Sequence, residues 1–226
     1  MLLFFAGSPS PAVKIITPFD VFFPCFESVA GSLGEFAYCP IMRFIIYLSF
    51  LISAVPLLAS ASVDRSGRLV IVGGALSYKQ DDIFETLLQS GKSLNELRAV
   101  VIPAASSRPS HYGELFKAEL ERRGLNAERV TVLPLAVKDD RSTPELDESL
   151  WSENANDPKV VANIREADVV WFTGGDPSRI TKVLGDYENP SPSLLALYAM
   201  LRNGGTIGGT SAGAAIMSRT MIVGGS

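Results

Sequence analysis

In Thr206-Ile-Gly-Gly-Thr-Ser211-Ala-Gly-Ala-Ala-Ile-Met-Ser218, a serine lies inside the pattern Gly-x-Ser-x-Gly, between a short apolar run and a run of small residues. This pattern is typical of a nucleophile elbow, in which the serine occupies a sharp turn between a strand and a helix. The residues around the turn must be small because the strand and the helix approach each other closely there. The sequence therefore predicts Ser211 as a nucleophile, with the N–H of Ala212 available to stabilise an oxyanion.

A second glycine-rich turn, Thr173-Gly-Gly-Asp176, follows the apolar run Val169-Val-Trp-Phe172. The missing side chains at Gly174 and Gly175 let a substrate carbonyl approach the backbone, so one of their N–H groups is a candidate for the second oxyanion donor. Asp176 is a candidate substrate-binding residue. For both glycine-rich stretches, an ordinary tight turn between a strand and a helix is the alternative interpretation.

Together the two stretches resemble the cyanophycinase and aspartyl dipeptidase group of serine peptidases, with cyanophycinase the closer match. Upstream, Val101-Ile-Pro-Ala-Ala-Ser-Ser107 is similar to the second strand and loop of that family. The resemblance runs from about residue 68 to residue 226. It implies the scaffold of class I glutamine amidotransferases and a peptide substrate, namely an aspartyl-arginine polymer. Cyanophycinases usually have Gln after this Asp, whereas this chain has Pro177, which suits the first position of a helix. The change puts the expected substrate in doubt more than the fold.

A catalytic serine needs a base, because its free hydroxyl is a weak nucleophile at neutral pH. In the family, a histidine and an acidic partner follow the serine in sequence. Here the single histidine is His111, which precedes it. Two explanations compete: the chain is a truncated product without its catalytic C-terminal portion, or His111 supplies the base. We favour truncation, which predicts impaired turnover.

Composition excludes several other classes of function. A net charge of −4 and the lack of a basic stripe argue against nucleic-acid binding. Cys25 and Cys39 both precede the predicted domain, so a disulfide framework or a cysteine zinc site is excluded within it. No metal is predicted, since one histidine cannot form a His-rich centre. No cofactor is predicted either, because a phosphate-loop lysine and a dinucleotide fingerprint are both missing. The oligomeric state stays open, a homodimer included.

The N-terminal part divides into two predicted segments. Residues 1–41 have no clean period and are interpreted as a non-native or disordered extension. Residues 42–61 begin with Met42-Arg43, continue with an apolar segment and end in Ala59-Ser-Ala61, which is typical of a secretory signal peptide. Cleavage after Ala61 would leave a secreted or periplasmic α/β domain, 62–226, without membrane contact. An uncleaved membrane anchor is the alternative.

From residue 68 onward, apolar runs alternate with helical patterns. Strands are predicted at 68–73, 99–102, 130–133, 168–172 and 206–208, and helices at 81–89, 112–123, 159–167 and 192–203. This alternation predicts an α/β fold with a doubly wound, mainly parallel sheet. Ligands bind at the carboxyl ends of such strands, so Ser211 and the Thr173 turn are expected to face one cleft.

The connection at 136–157 is rich in acids. It contains Asp139, Asp140, Glu145, Asp147, Glu148, Glu153 and Asp157. One interpretation is a solvated acidic loop. The other is a rim of the cleft that attracts a cationic side chain, such as the arginine of an aspartyl-arginine polymer. An aspartyl dipeptidase or related hydrolase stays open as the function, and so does a non-catalytic small-molecule binding domain.

Overall fold

The fold alternates short β-strands with helices along the chain. The computed structural model describes residues 2–4 and 66–221. The strands are β1 (Leu2–Phe4), β2 (Arg68–Val72), β3 (Ala99–Ile102), β4 (Val130–Val132), β5 (Val169–Phe172) and β6 (Thr206–Thr210). The α-helices are α1 (Asp81–Leu88), α2 (Pro109–Arg122), α3 (Pro158–Glu166), α4 (Pro177–Leu184), α5 (Pro192–Arg202) and α6 (Ala212–Ala215). The described residues also contain the 3-10 helix Ala127–Arg129, directly before β4, and the 3-10 helix Glu148–Asn156, inside the acidic connection.

The strands that the structure describes form one sheet in the order β1-β2-β6-β5-β3-β4, and each neighbouring pair is parallel. This confirms the predicted α/β class with a mainly parallel sheet. β3 and β5 are buried along their whole length, as expected for apolar strands that are covered by helices on both faces. Because β5 and β6 are neighbours, their carboxyl ends lie side by side.

The sheet separates two apolar clusters. On one face, Trp171 packs with α1 and α2, and its ring stacks on that of Phe116 with the centroids 4.5 Å apart. On the other face, Phe172 packs with Ile164 of α3 and Ile180 of α4. Adjacent residues of β5 thus point to opposite clusters, as the alternation of side chains along a strand requires. Burial on both faces fixes the register of β5 and β6, which carry the two glycine turns.

The predicted elements from β2 to β6 agree with the observed ones to within three residues at each end. The largest difference is at α2, which begins at Pro109 rather than Tyr112, since proline suits the first position of a helix. α4 begins at Pro177, as expected. Three observed elements were not predicted, namely β1 and the 3-10 helices Ala127–Arg129 and Glu148–Asn156.

The signal peptide predicted at 42–61 lies outside the described residues, and so does the predicted extension apart from 2–4. The predicted domain boundaries stay predictions. Among the residues that the structure describes, no helix has the length and apolar character that a membrane span needs.

Two serines at the start of α5 give a paired test of stability. Ser191 is the N-cap, and its Oγ accepts a hydrogen bond from the N–H of Leu194 at 3.1 Å. Ser193 is fully buried, and its hydroxyl has no hydrogen-bond partner within the described residues. We expect Ser191→Ala to lower the free energy of unfolding by about 1 kcal/mol, because a helix cap is lost.

Ser193→Ala should leave the free energy of unfolding unchanged or raise it by up to about 1 kcal/mol, because it removes a buried hydroxyl without a partner. Urea unfolding of both variants measures the difference. A larger loss for Ser193→Ala than for Ser191→Ala would contradict this assignment.

Candidate active site

Ser211 occupies the sharp turn between β6 and α6 that the sequence predicts. Its backbone has φ 52° and ψ −113°, a left-handed conformation that is uncommon for any residue except glycine. The N–H of Ser211 donates a hydrogen bond to the carbonyl of Val72 in β2 at 3.1 Å. The serine itself is exposed to solvent. The turn therefore presents the hydroxyl at the carboxyl edge of the sheet.

Small residues around Ser211 let α6 lie directly on the sheet. A Cβ atom at Gly213 would be 2.7 Å from the Cβ of Phe172, and one at Gly209 would be 2.5 Å from the carbonyl oxygen of Gly213. Both distances are shorter than van der Waals contact. A larger residue at either position would push α6 away from β5 and β6, and the elbow would open.

Ala212 follows the serine as the first residue of α6, and it is 3% exposed. N–H groups in the first turn of a helix have no acceptor within that helix, so the N–H of Ala212 is available to a ligand. The amide dipoles at this end of a helix also favour negative charge. Ala212 lies next to Ser211 in this turn, and its role as an oxyanion donor stays a prediction.

The structure distinguishes the two glycines of the Thr173 turn. A Cβ atom at Gly174 would lie 3.4 Å from the Cβ of Ser211 and 3.5 Å from the carbonyl oxygen of Thr210, so Gly174 borders the nucleophile. Gly175 has φ 144°, and a Cβ atom there would overlap the carbonyl oxygen of Ala105 in the loop after β3. Gly174 is therefore the better candidate for the second oxyanion donor.

Asp176 has a structural partner that the sequence analysis did not assign. It is the N-cap of α4, and its Oδ1 accepts hydrogen bonds from the N–H of Ser178 at 2.9 Å and from the hydroxyl at 2.7 Å. These bonds are the main reason why the pKa of the Asp176 carboxyl is below its usual value. The substrate-binding role of Asp176 stays a prediction.

His111 lies in the first turn of α2, where it is exposed and packs edge-on against the ring of Tyr112. The hydroxyl of Ser211 makes no hydrogen bond to any described residue. The structure therefore does not bring His111 into the arrangement that a Ser–His pair needs.

The loop after β2 is a third neighbour of the nucleophile, which the sequence analysis missed. The carbonyl of Val72 accepts from Ser211, and the carbonyl of Gly73 accepts a hydrogen bond from the hydroxyl of Thr210 at 2.8 Å. Ala75 in this loop has φ 59°, a second left-handed residue close to the site. The pair Gly73-Gly74, which directly follows the apolar run of β2, was the sequence signal that could have identified this loop. Loops after β2, β5 and β6 thus meet around Ser211.

The acidic connection 136–157 is mostly structural. Glu148 is fully buried, and it accepts hydrogen bonds from the hydroxyl of Ser110 at 2.7 Å and from the N–H of Asp140 at 3.1 Å. Asp147 and Asp157 cap helices through the N–H groups two residues on. At least four of the seven acids therefore stabilise the connection itself, a role that neither sequence interpretation included.

Asp140 gives a test of this structural role by pH. Hydrogen bonds from the hydroxyl and the N–H of Ser142 outweigh burial and, with the Arg108 guanidinium, hold the pKa of the Asp140 carboxyl below its usual value. A carboxyl with a lower pKa in the folded state stabilises the protein above its unfolded pKa of about 3.9, and this contribution is lost as the pH falls through the folded pKa.

Asp140→Asn should therefore lower the free energy of unfolding at pH 7, and the difference from the wild type should shrink below about pH 4. Urea unfolding at both pH values measures it, with the exposed Glu145→Gln as the matched control. A difference that stays constant down to about pH 2 would show that ionisation of Asp140 does not stabilise the fold.

Comparison with known proteins gives the following matches. The model of Peptidase family S51 matches residues 69–225. Similar proteins include the cyanophycinase of Nostoc sp. (strain PCC 7120), which is 32% identical over 126 residues, or 55% of this chain and 36% of that protein. The cyanophycinase of Geminocystis herdmanii (strain PCC 6308) is 27% identical over 163 residues, which cover 72% of this chain and 52% of that protein. The chain thus spans about a third to a half of these relatives.

Similar solved structures include a peptidase from an acI-B1 Actinobacterium, with 22% identity, a TM-score of 0.46, and coverage of 68% of this chain and 56% of that chain. A second is a putative peptidase E protein from Listeria monocytogenes EGD-e, with 19% identity, a TM-score of 0.45, and coverage of 67% and 61%.

Proposed function

Because the chain belongs to peptidase family S51, we propose that it is a serine-type peptidase with Ser211 as the nucleophile. The hydroxyl attacks the substrate carbonyl, and the N–H groups of Ala212 and Gly174 stabilise the oxyanion. The amine then leaves and water hydrolyses the acyl-enzyme. The observation that supports this function is the exposed, left-handed Ser211, whose side chain lies where a Cβ atom at Gly174 would come within 3.4 Å of it.

The reaction also needs a base that takes the proton of the Ser211 hydroxyl. Neither His111 nor a carboxylate of the described residues hydrogen-bonds to that hydroxyl. The general base is therefore expected to be a residue outside the described part of the chain. Turnover should be slow in any form of the protein that lacks that residue.

The proposed substrate is an aspartyl-arginine-type peptide polymer. The family match and the relatives named cyanophycinase support it. The four acids that stabilise the connection 136–157 do not, because their carboxylates are already occupied by the protein. Pro177 in place of Gln also removes an amide that would orient the substrate.

A fluorophosphonate that carries an aspartyl-arginine dipeptide tests the nucleophile when a base is supplied from the buffer. The Ser211 oxygen forms a bond to phosphorus and fluoride leaves, while free imidazole in the buffer takes the proton. We expect a single adduct at Ser211, whose rate of formation rises with imidazole concentration and, near neutral pH, with the fraction of imidazole that is unprotonated. Intact mass and peptide mapping measure it.

Ser211→Ala should form no adduct, whereas Ser218→Ala, which alters an exposed serine just beyond α6, should react like the wild type. Equal labelling of Ser211→Ala would disprove the assignment of the nucleophile. An unlabelled wild-type protein that still binds the dipeptide would instead identify a binding domain.

We further propose that residues 42–61 are a signal peptide and that the mature domain is secreted or periplasmic. The basic start at Met42-Arg43 and the Ala-x-Ala ending support it. N-terminal sequencing of the exported protein should begin at Ser62. A first residue before Met42 would contradict both the signal peptide and the assignment of 1–41 as an extension.

A further inference from the structure

Arg179 of α4 connects the loop after β5 to the loop after β3. Its Nη1 donates a hydrogen bond to the carbonyl oxygen of Ala105 at 3.1 Å, and its Nε lies 3.7 Å from Oδ2 of Asp176. The side chain is only 23% exposed, and Ala105 is fully buried. The guanidinium therefore binds a main-chain carbonyl beneath the surface of the site.

The two loops leave the sheet toward opposite faces. The helix after β3 is α2, whose Phe116 packs in one apolar cluster, and the helix after β5 is α4, whose Ile180 packs in the other. Such a divergence between neighbouring strands opens a crevice at their carboxyl ends, where ligands of parallel sheets bind. Arg179 bridges this crevice.

The carbonyl of Ala105 also determines where the glycine turn lies. The N–H of Asp176 donates to the same oxygen at 2.9 Å, and the backbone of Gly175 lies so close to it that a Cβ atom would overlap. Gly174, which directly precedes Gly175 in sequence, borders Ser211. A shift of the turn relative to Ala105 would therefore move Gly174 relative to the nucleophile.

The loop after β3 is a firm anchor for this contact. The N–H of Ser106 donates to the carbonyl of Pro103 at 2.9 Å, and the buried hydroxyl of Ser106 accepts from the N–H of Arg108 at 2.9 Å. The glycine pair of the other loop has no side chains that could hold it in place. Arg179 thus adds a side-chain contact to the backbone hydrogen bond that holds the turn against Ala105.

Local electrostatics do not explain an arginine at this position. Arg179 lies in the first turn of α4, where the helix dipole disfavours a cation. The carboxylate of Asp176 partly offsets that cost, and the hydrogen bond to Ala105 is the remaining favourable contact.

We propose that Arg179 is a positioning residue, which holds the N–H of Gly174 at the correct distance from the oxyanion at Ser211. This inference rests on the proposed function. Arg179 acts through Ala105 and the glycine turn, without contact to the reacting atoms.

The test compares Arg179→Met with Arg165→Met, a matched control on the exposed side of α3. The rate of Ser211 labelling by the dipeptide fluorophosphonate is measured against probe concentration, with imidazole in excess. We expect Arg179→Met to lower the maximal rate about 10- to 100-fold, because a misplaced oxyanion donor stabilises the transition state poorly.

The half-saturating concentration of the probe should change less than about threefold, since Arg179 does not take part in binding the probe in its ground state. Arg179→Lys keeps a donor for Ala105 and should recover part of the rate.

Urea unfolding of each variant separates positioning from stability. An Arg179→Met protein that is less stable but reacts at the wild-type maximal rate would show a merely structural role and overturn the inference. A raised half-saturating concentration with an unchanged maximal rate would assign Arg179 to substrate binding, which also overturns it.

If the wild type itself is not labelled at Ser211, the proposed function fails, and the amide resonance of Gly174 then tests the positioning directly. The chemical shift of the Gly174 amide should change in Arg179→Met and should be the same as in the wild type in Arg165→Met. An unchanged resonance would overturn the inference.

Discussion

The backbone bend at Ser211 is the constraint on which the site depends. A non-glycine residue in a left-handed conformation costs on the order of 1–3 kcal/mol and persists only where the surrounding structure fixes it. Here its N–H is hydrogen-bonded to Val72 of β2, and α6 packs against β5 and β6 through Gly209 and Gly213. Two neighbouring strands and the following helix therefore hold one hydroxyl out of the sheet, so loss of either contact would relax the turn.

The same arrangement brings the other parts of the site together. β2 and β5 flank β6 in the sheet, and all three strands are parallel. The loops that follow these strands therefore begin side by side, next to Ser211. The two apolar clusters fix the register of these strands, and Trp171 and Phe172 of β5 contribute one residue to each cluster. The positions of the loops around Ser211 thus depend on packing in the core of the sheet. The loop after β5 is held against the loop after β3 by the carbonyl of Ala105, which accepts hydrogen bonds from the N–H of Asp176 and from Arg179.

The sequence predicted the sheet and the elbow because both depend on short-range patterns. Buried strands require continuous apolar runs, and close packing around Ser211 requires small neighbours. Contacts between distant segments left no such pattern. Gly174 and Gly175 look equivalent in sequence, and only the position of Ala105 distinguishes them. Neither interpretation of the acidic connection, a solvated loop or a rim of the cleft, placed Glu148 in the interior, where it accepts hydrogen bonds from Ser110 and Asp140.

A crystal structure of the phosphonate adduct at Ser211 tests the central claim most directly. If the elbow and the glycine turn form one oxyanion hole, the phosphonyl oxygen should lie about 2.7–3.1 Å from the backbone nitrogens of both Ala212 and Gly174. An oxygen that points to solvent, or that contacts Ala212 alone, would contradict the account of how the two loops act on one substrate.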